Sequence, residues 1–122
     1  MTKYFLDTYA LIEIIIGNRK YKKYLSSDLF TSIFNLYELY YNILRDFNEE
    51  TAKKYFLQFK KILIHFTDAE VFQASQFKLK HKKQKLSYAD CLGYAIAVKE
   101  KMRFLTGDKE FKDIQNVEFV QK

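Results

Sequence analysis

The chain has 122 residues, with 21 Lys plus Arg against 15 Asp plus Glu for a net charge of +6, and 48% of its residues are hydrophobic. That length and mix fit one compact domain, residues 1–122, able to bury a core, and exclude a disordered tail; three Gly and no Pro exclude collagen-like and loop-dominated classes. The basic excess favours polyanionic partners through phosphate neutralisation and faster encounter, although it equally serves solubility.

In chain order, Tyr4-Phe5-Leu6 reads as a strand and Ala10 to Ile16 as a helix. A lysine-rich helical turn or two follows over Asn18 to Ser26. Leu29 to Ser32 is the second strand and Ile33 to Arg45 the second long helix. Asn48, followed by Glu49 and Glu50, caps a further helix running through Lys60. Ile62 to Phe66 reads as a third strand. A helix over Ala69 to Lys80 starts from Thr67 or Asp68, and Ser87 opens a periodic helix to Lys101. Phe104-Leu105-Thr106 and Val117 to Val120 complete the strands. Strands separated by helices imply right-handed crossovers, hence a three-layer α/β/α sandwich around a mainly parallel sheet. One cysteine, Cys91, cannot form an internal disulfide. The N-terminus carries no basic-then-apolar leader pattern, and the longest apolar run, Ala10 to Ile16, is broken by Glu13. The expected setting is cytoplasmic, away from membranes.

Parallel sheets place their sites beyond the carboxyl ends of the strands. Asp7 follows the first strand directly, and Asp108 follows Phe104-Leu105-Thr106 across Gly107. Asp90 stands near the start of the Ser87 helix, and Glu38 about five residues into the helix after the second strand, ~8 Å below its start. All four reach the same edge. Each also has a structural explanation: Asp7 and Asp108 as helix caps, Asp90 in a Ser87-x-x-Asp90 capping box, and Glu38 on a solvated stripe with Asn35 and Asn42. Taken together they repel one another unless a cation neutralises them, and an all-oxygen set suits Mg²⁺ or Mn²⁺ rather than zinc.

Phe5-Leu6-Asp7-Thr8 with Leu11, Glu38 in its apolar helix, Leu86-x3-Asp90-Cys91 with Ala95 and Ala97, and Leu105-Thr106-Gly107-Asp108-x2-Phe111 resemble the four signatures of PIN-domain nucleases. The resemblance runs from about residue 3 to residue 120, and at this size the chain is most similar to VapC-type toxins of toxin–antitoxin pairs. It implies a PIN-like fold in which Asp7, Glu38, Asp90 and Asp108 are catalytic and hold divalent ions, with Thr8 and Thr106 orienting the carboxylates or water. The implied chemistry is metal-dependent hydrolysis of RNA phosphodiester bonds, with no histidine base. His65, in a strand run, is then a core or edge residue. The same resemblance implies a homodimer and a cognate antitoxin whose C-terminal segment obstructs the metal site.

Between Glu70 and Asp90 no acid occurs, while Lys78, Lys80, Lys82, Lys83 and Lys85 crowd beside His81. These lysines read either as an RNA-binding lip beside the acids or as a solvated helix end. Lys20, Lys22 and Lys23, interleaved with Tyr21 and Tyr24, are a second candidate, with tyrosines that either stack on bases or pack the core. The Ile33–Leu44 helix is apolar over most of its circumference, so it calls for burial by the domain or by a partner. A phosphatase of the haloacid dehalogenase kind is disfavoured because its second aspartate position holds Tyr9. The non-enzymatic alternative is an RNA-binding or interaction module whose acids are only caps.

Overall fold

In the computed structural model, which describes residues 2–122, the chain runs β1 (Lys3–Leu6), α1 (Thr8–Ile16), β2 (Asp28–Phe30), α2 (Ile33–Asp46), α3 (Glu49–Phe59), α4 (Asp68–Lys80), α5 (Tyr88–Lys99), β3 (Arg103–Thr106) and β4 (Val117–Phe119). Three 3₁₀ segments, Arg19–Ser26, Lys60–Ile62 and Lys109–Phe111, join these elements. The sheet order is β2-β1-β3-β4 with every pairing parallel. No helix among the described residues is long and apolar enough to cross a membrane.

Strand alternation sets the layers. Phe5 pairs in register with Phe104, and Leu6 with Leu105. The two phenylalanines point to one face, where they pack with Ala74 of α4 and Cys91, Leu92, Ala95 and Ile96 of α5. Both leucines point to the other face, against Leu11 of α1, Leu36 and Leu39 of α2, and Ala52 and Phe59 of α3. Burying each of these large side chains contributes roughly 1.5–3 kcal/mol. The result is the expected three-layer α/β/α sandwich with a parallel sheet.

Helix α5 approaches the sheet closely because Gly93 has no side chain. A Cβ there would lie 2.5 Å from Phe5 Cε1 and 3.3 Å from Phe104 Cε1, and both rings are fully buried and cannot swing away. We expect Gly93→Ala to lose stability: overpacking costs about 1–3 kcal/mol, while better helix propensity returns at most ~1 kcal/mol. A fall in the urea unfolding midpoint checks this.

The structure corrects two sequence expectations and decides a third that the sequence left open. Ile62 to Phe66 is not a strand: Leu63 makes one isolated parallel bridge to Thr31, flanked by Thr31 N–H donating to the Ile62 carbonyl (3.1 Å) and Ile64 N–H donating to the Thr31 carbonyl (2.9 Å). The ladder stops there because the next residue, Ser32, caps α2 by accepting the Asn35 N–H, so the partner chain turns into the helix. His65 consequently sits exposed on a connection rather than in a core or edge strand. In the lysine-rich 3₁₀ segment, Tyr21 and Tyr24 are core residues. Their hydroxyls donate to the Val120 carbonyl (2.6 Å) and to Glu118 Oε2 (2.7 Å), which removes both rings from any base-stacking role.

One expectation about α2 is met only in part. Leu36, Leu39 and Ile43 are buried, yet Ile33, Phe34, Tyr37, Tyr41 and Leu44 remain exposed on the rest of the helix. This chain by itself leaves that apolar surface open.

Candidate functional site

Asp7 sits where β1 ends and α1 begins. Its Oδ1 accepts the Ala10 N–H (2.8 Å) as the N-cap of α1. Its Oδ2 accepts a hydrogen bond from the Thr106 hydroxyl at the end of the neighbouring strand β3. Thr106 Oγ1 in turn accepts the Asp108 N–H at 3.0 Å. One threonine thus fixes two acids from opposite ends of the chain. Asp108 caps the 3₁₀ segment beyond it, with Oδ1 accepting the Glu110 N–H (3.0 Å).

Glu38 is held from the other side. The Thr8 hydroxyl donates to Glu38 Oε1 at 2.7 Å. Asn35, one turn before Glu38, is fully buried and donates through Nδ2 to Thr8 Oγ1 (3.3 Å), while its Oδ1 accepts the Ser32 hydroxyl (2.7 Å). The stripe of Asn35, Glu38 and Asn42 is therefore not a solvated face, as one sequence reading had it. Asn35 is a buried strut, and Asn42 lines the same recess as Glu38. Asp90 completes the set from the first turn of α5, in the expected capping box: Ser87 Oγ accepts the Asp90 N–H (3.0 Å) and Asp90 Oδ2 accepts the Ser87 N–H (3.2 Å).

All four acids line one open cleft of about 470 Å³, with Thr8, Tyr9, Tyr41 and Asn42 among its walls. Among the described residues, no Lys, Arg or His forms an ion pair with any of the four. The electrostatic consequence is strain in the charged state. Burial, then the charges of Asp90 and Asp108, hold the Asp7 carboxyl well above the usual carboxylate range against the opposing Thr106 and Ala10 hydrogen bonds. Burial pushes Asp90 up to about 6, with Glu38 and Asp108 adding to the effect.

The donor set fits a hard divalent cation: oxygens only, uncompensated negative charge, and an opening to solvent. For Glu38, Asp90 and Asp108, one carboxylate oxygen serves local structure, while the other accepts no hydrogen bond among the described residues. Yet no three His, Cys, Asp or Glu side chains among the described residues are gathered closely enough to hold an ion by themselves. An ion held in this cleft would therefore keep several waters and use few direct carboxylates, as Mg²⁺ does. Three of the acids also serve helix starts, Asp7 and Asp108 as N-caps and Asp90 as the capping-box partner of Ser87, and for Asp90 and Asp108 that role occupies only one carboxylate oxygen.

None of the five clustered lysines lines this cleft. The Lys78 ammonium is tied to the Leu86 carbonyl and lies 4.7 Å from the Tyr88 ring centre, pinning the approach to Ser87. Lys80 faces a separate cavity, and Lys82, Lys83 and Lys85 are exposed on the connection into α5. Sequence reasoning missed Tyr9 and Tyr41 as walls of the cleft, and read Asn35 only as part of a solvated stripe. The signal for Asn35 was its position one turn before Glu38 and three residues after the capping Ser32.

A fold of this kind, a parallel α/β/α sheet with an acidic cleft at its carboxyl edge, defines a class of proteins. The PIN domain family model matches residues 4–117, and the chain belongs to the PIN domain family. Its fold is also that of three solved structures. One is the VapC20 toxin of Mycobacterium tuberculosis, described as cleaving the sarcin-ricin loop (18% identity, 98% of each chain covered, TM-score 0.77). A toxin–antitoxin complex from Klebsiella pneumoniae is 18% identical over 98% of this chain and 99% of that one, with a TM-score of 0.76. VapBC2 of Rickettsia felis, bound to a DNA fragment from its promoter, is 22% identical over 98% of each chain, with a TM-score of 0.74. No curated protein sequence matches the chain.

Proposed function

We propose that residues 1–122 form a single nuclease domain that hydrolyses RNA phosphodiester bonds in the cytoplasm, using Mg²⁺ or Mn²⁺ held by Asp7, Glu38, Asp90 and Asp108. The observation that carries this reading is the convergence of four acids from distant parts of the chain on one open cleft with no cationic side chain paired to them. Such an ion supplies positive charge, which lowers the pKa of a water and stabilises the phosphoryl oxygens. The chain's own residues orient the acids. Thr106 aligns Asp7 with Asp108, and Thr8, braced by Asn35, aims Glu38. Purified protein incubated with labelled single-stranded RNA tests the reading. Cleavage with Mn²⁺ or Mg²⁺ that EDTA abolishes supports it, and no cleavage of several RNAs with either ion refutes it.

The biological role we propose is that of a VapC-type toxin acting as a homodimer and restrained by a cognate antitoxin. Support comes from the family, from the toxin–antitoxin neighbours of the same fold, and from the exposed apolar residues of α2, which call for a protein cover.

Lys78, Lys80, Lys82, Lys83 and Lys85 form the proposed basic surface for RNA. Its sequence-independent share rests on Lys82, Lys83 and Lys85, the three exposed on the connection into α5. Replacing these three by Ala is expected to weaken RNA binding uniformly across sequences. The slope of log affinity against log salt should shrink by about 0.7 per lysine, measured by fluorescence anisotropy with EDTA present. An unchanged slope would remove these lysines from the RNA surface.

The non-enzymatic reading, an RNA-binding or interaction module, is favoured by the capping roles of Asp7, Asp90 and Asp108. Asn replacements separate it from the nuclease, because Asn caps helices as well as Asp does.

A further inference from the structure

A second cavity lies outside the acidic cleft, between the end of α4, the middle of α5 and the 3₁₀ segment after β3. Its volume is about 560 Å³, within the ~300–1,000 Å³ typical of small-molecule sites. One wall is aromatic. Tyr94 stacks on Phe77 with ring centres 4.3 Å apart and planes 20° from parallel, and His81 lies on Phe77 at 4.3 Å. The imidazole is fixed in place, with Nδ1 3.0 Å from the Phe77 carbonyl. That carbonyl can only accept, so Nδ1 carries the proton of this bond and Nε2 is left for another partner. The Tyr94 hydroxyl is anchored as a donor to the Gln115 carbonyl (2.7 Å).

The other walls carry both charges. Lys80 and Lys109 supply ammonium groups, while Asp113 and Glu110 supply carboxylates. Glu110 is already engaged, because its Oε1 accepts the Lys85 N–H at 2.8 Å. A ligand that stacks on rings, offers an anionic group to lysines and presents amino groups to a carboxylate matches this lining, and a nucleotide has all three features. The cavity and the acidic cleft take their walls from consecutive residues of one segment. Asp108 lines the cleft, and the next two residues, Lys109 and Glu110, line the cavity.

We propose that this cavity seats one nucleotide of the RNA flanking the scissile phosphodiester, with its base against His81 and Tyr94 and its phosphate between Lys80 and Lys109. The assignment deepens the nuclease reading above and rests on it for the word "flanking". Nucleotide binding itself is independent of cleavage.

The test is an NMR titration of the wild-type protein, in EDTA, with each of the four nucleoside 5′-monophosphates and with ribose 5-phosphate. Binding should perturb Lys80, His81, Tyr94, Lys109 and Gln115 together, and ribose 5-phosphate should bind more weakly than at least one nucleotide because it cannot stack. Loss of the stacking ring in His81→Ala should weaken nucleotide binding roughly five-fold or more, with the remaining spectrum confirming the fold. Perturbations scattered over Lys82, Lys83 and Lys122, equal binding of ribose 5-phosphate, or an unaltered His81→Ala affinity would each overturn the assignment. In the RNA cleavage assay, His81→Ala should raise KM with kcat retained. A wild-type protein that binds nucleotides here but cleaves no RNA would contradict the nuclease reading and leave the cavity assigned as a nucleotide site.

Discussion

Asp7→Asn is expected to lower metal-dependent RNA cleavage by at least ~100-fold, since even groups that merely orient a metal ligand are worth 10- to 100-fold. The substitution preserves shape and the acceptor that caps α1 through Ala10 N–H. What it removes is a buried negative charge that no cationic side chain offsets among the described residues, whose burial and repulsion by Asp90 outweigh the Thr106 hydrogen bond that Oδ2 also loses. The same variant should therefore be at least as stable as the wild type when no metal is present. Cleavage rates and thermal melting of one preparation check both halves. A variant that cleaves normally would reduce Asp7 to a helix cap.

The second large effect is a pH dependence of stability created by Asp90. Its folded-state pKa is raised to about 6, so between roughly pH 4 and 6 the folded protein holds a proton that the unfolded chain has released. Stability from this group is fully present below the unfolded carboxylate pKa and is lost as pH rises through 6. The loss has an upper bound of ~3 kcal/mol, at about 1.4 kcal/mol per pKa unit. Asp7 shifts in the same direction and adds to the trend. The difference in unfolding free energy between wild type and Asp90→Asn, followed from pH 4 to 8 in EDTA, isolates the effect. It should grow in favour of the variant as pH rises. A divalent ion competes with the same proton, so Mn²⁺ should raise the wild-type melting temperature more at pH 7.5 than at pH 5.5. A difference that stays flat across this range would contradict the electrostatic account of the cleft.

Much of this site was legible in the sequence because topology does the assembling. Once Tyr4-Phe5-Leu6 and Phe104-Leu105-Thr106 are parallel neighbours, Asp7 and Asp108 must leave the sheet at one edge, and the N-terminus of α5 brings Asp90 to it. The capping box at Ser87 was readable for a local reason, since its partners are three residues apart. Asn35 was not readable in the same way. Its burial depends on Thr8, 27 residues away, which exists as a partner only after β1 and α2 have packed. Likewise, Tyr21 and Tyr24 look like an exposed aromatic pair among lysines until β4 and the residue after it provide acceptors for their hydroxyls. Ile62 to Phe66 misled because an apolar run satisfies strand and buried-connection patterns equally, and only the early turn at Ser32 decides between them.

The central claim is that these acids hold a divalent ion. Crystals soaked in Mn²⁺ and measured at the manganese absorption edge test it most directly. An anomalous peak in the cleft between Asp7, Asp90 and Asp108, absent in Asp7→Asn crystals, is the predicted result. A cleft without manganese at concentrations that support RNA cleavage would contradict it.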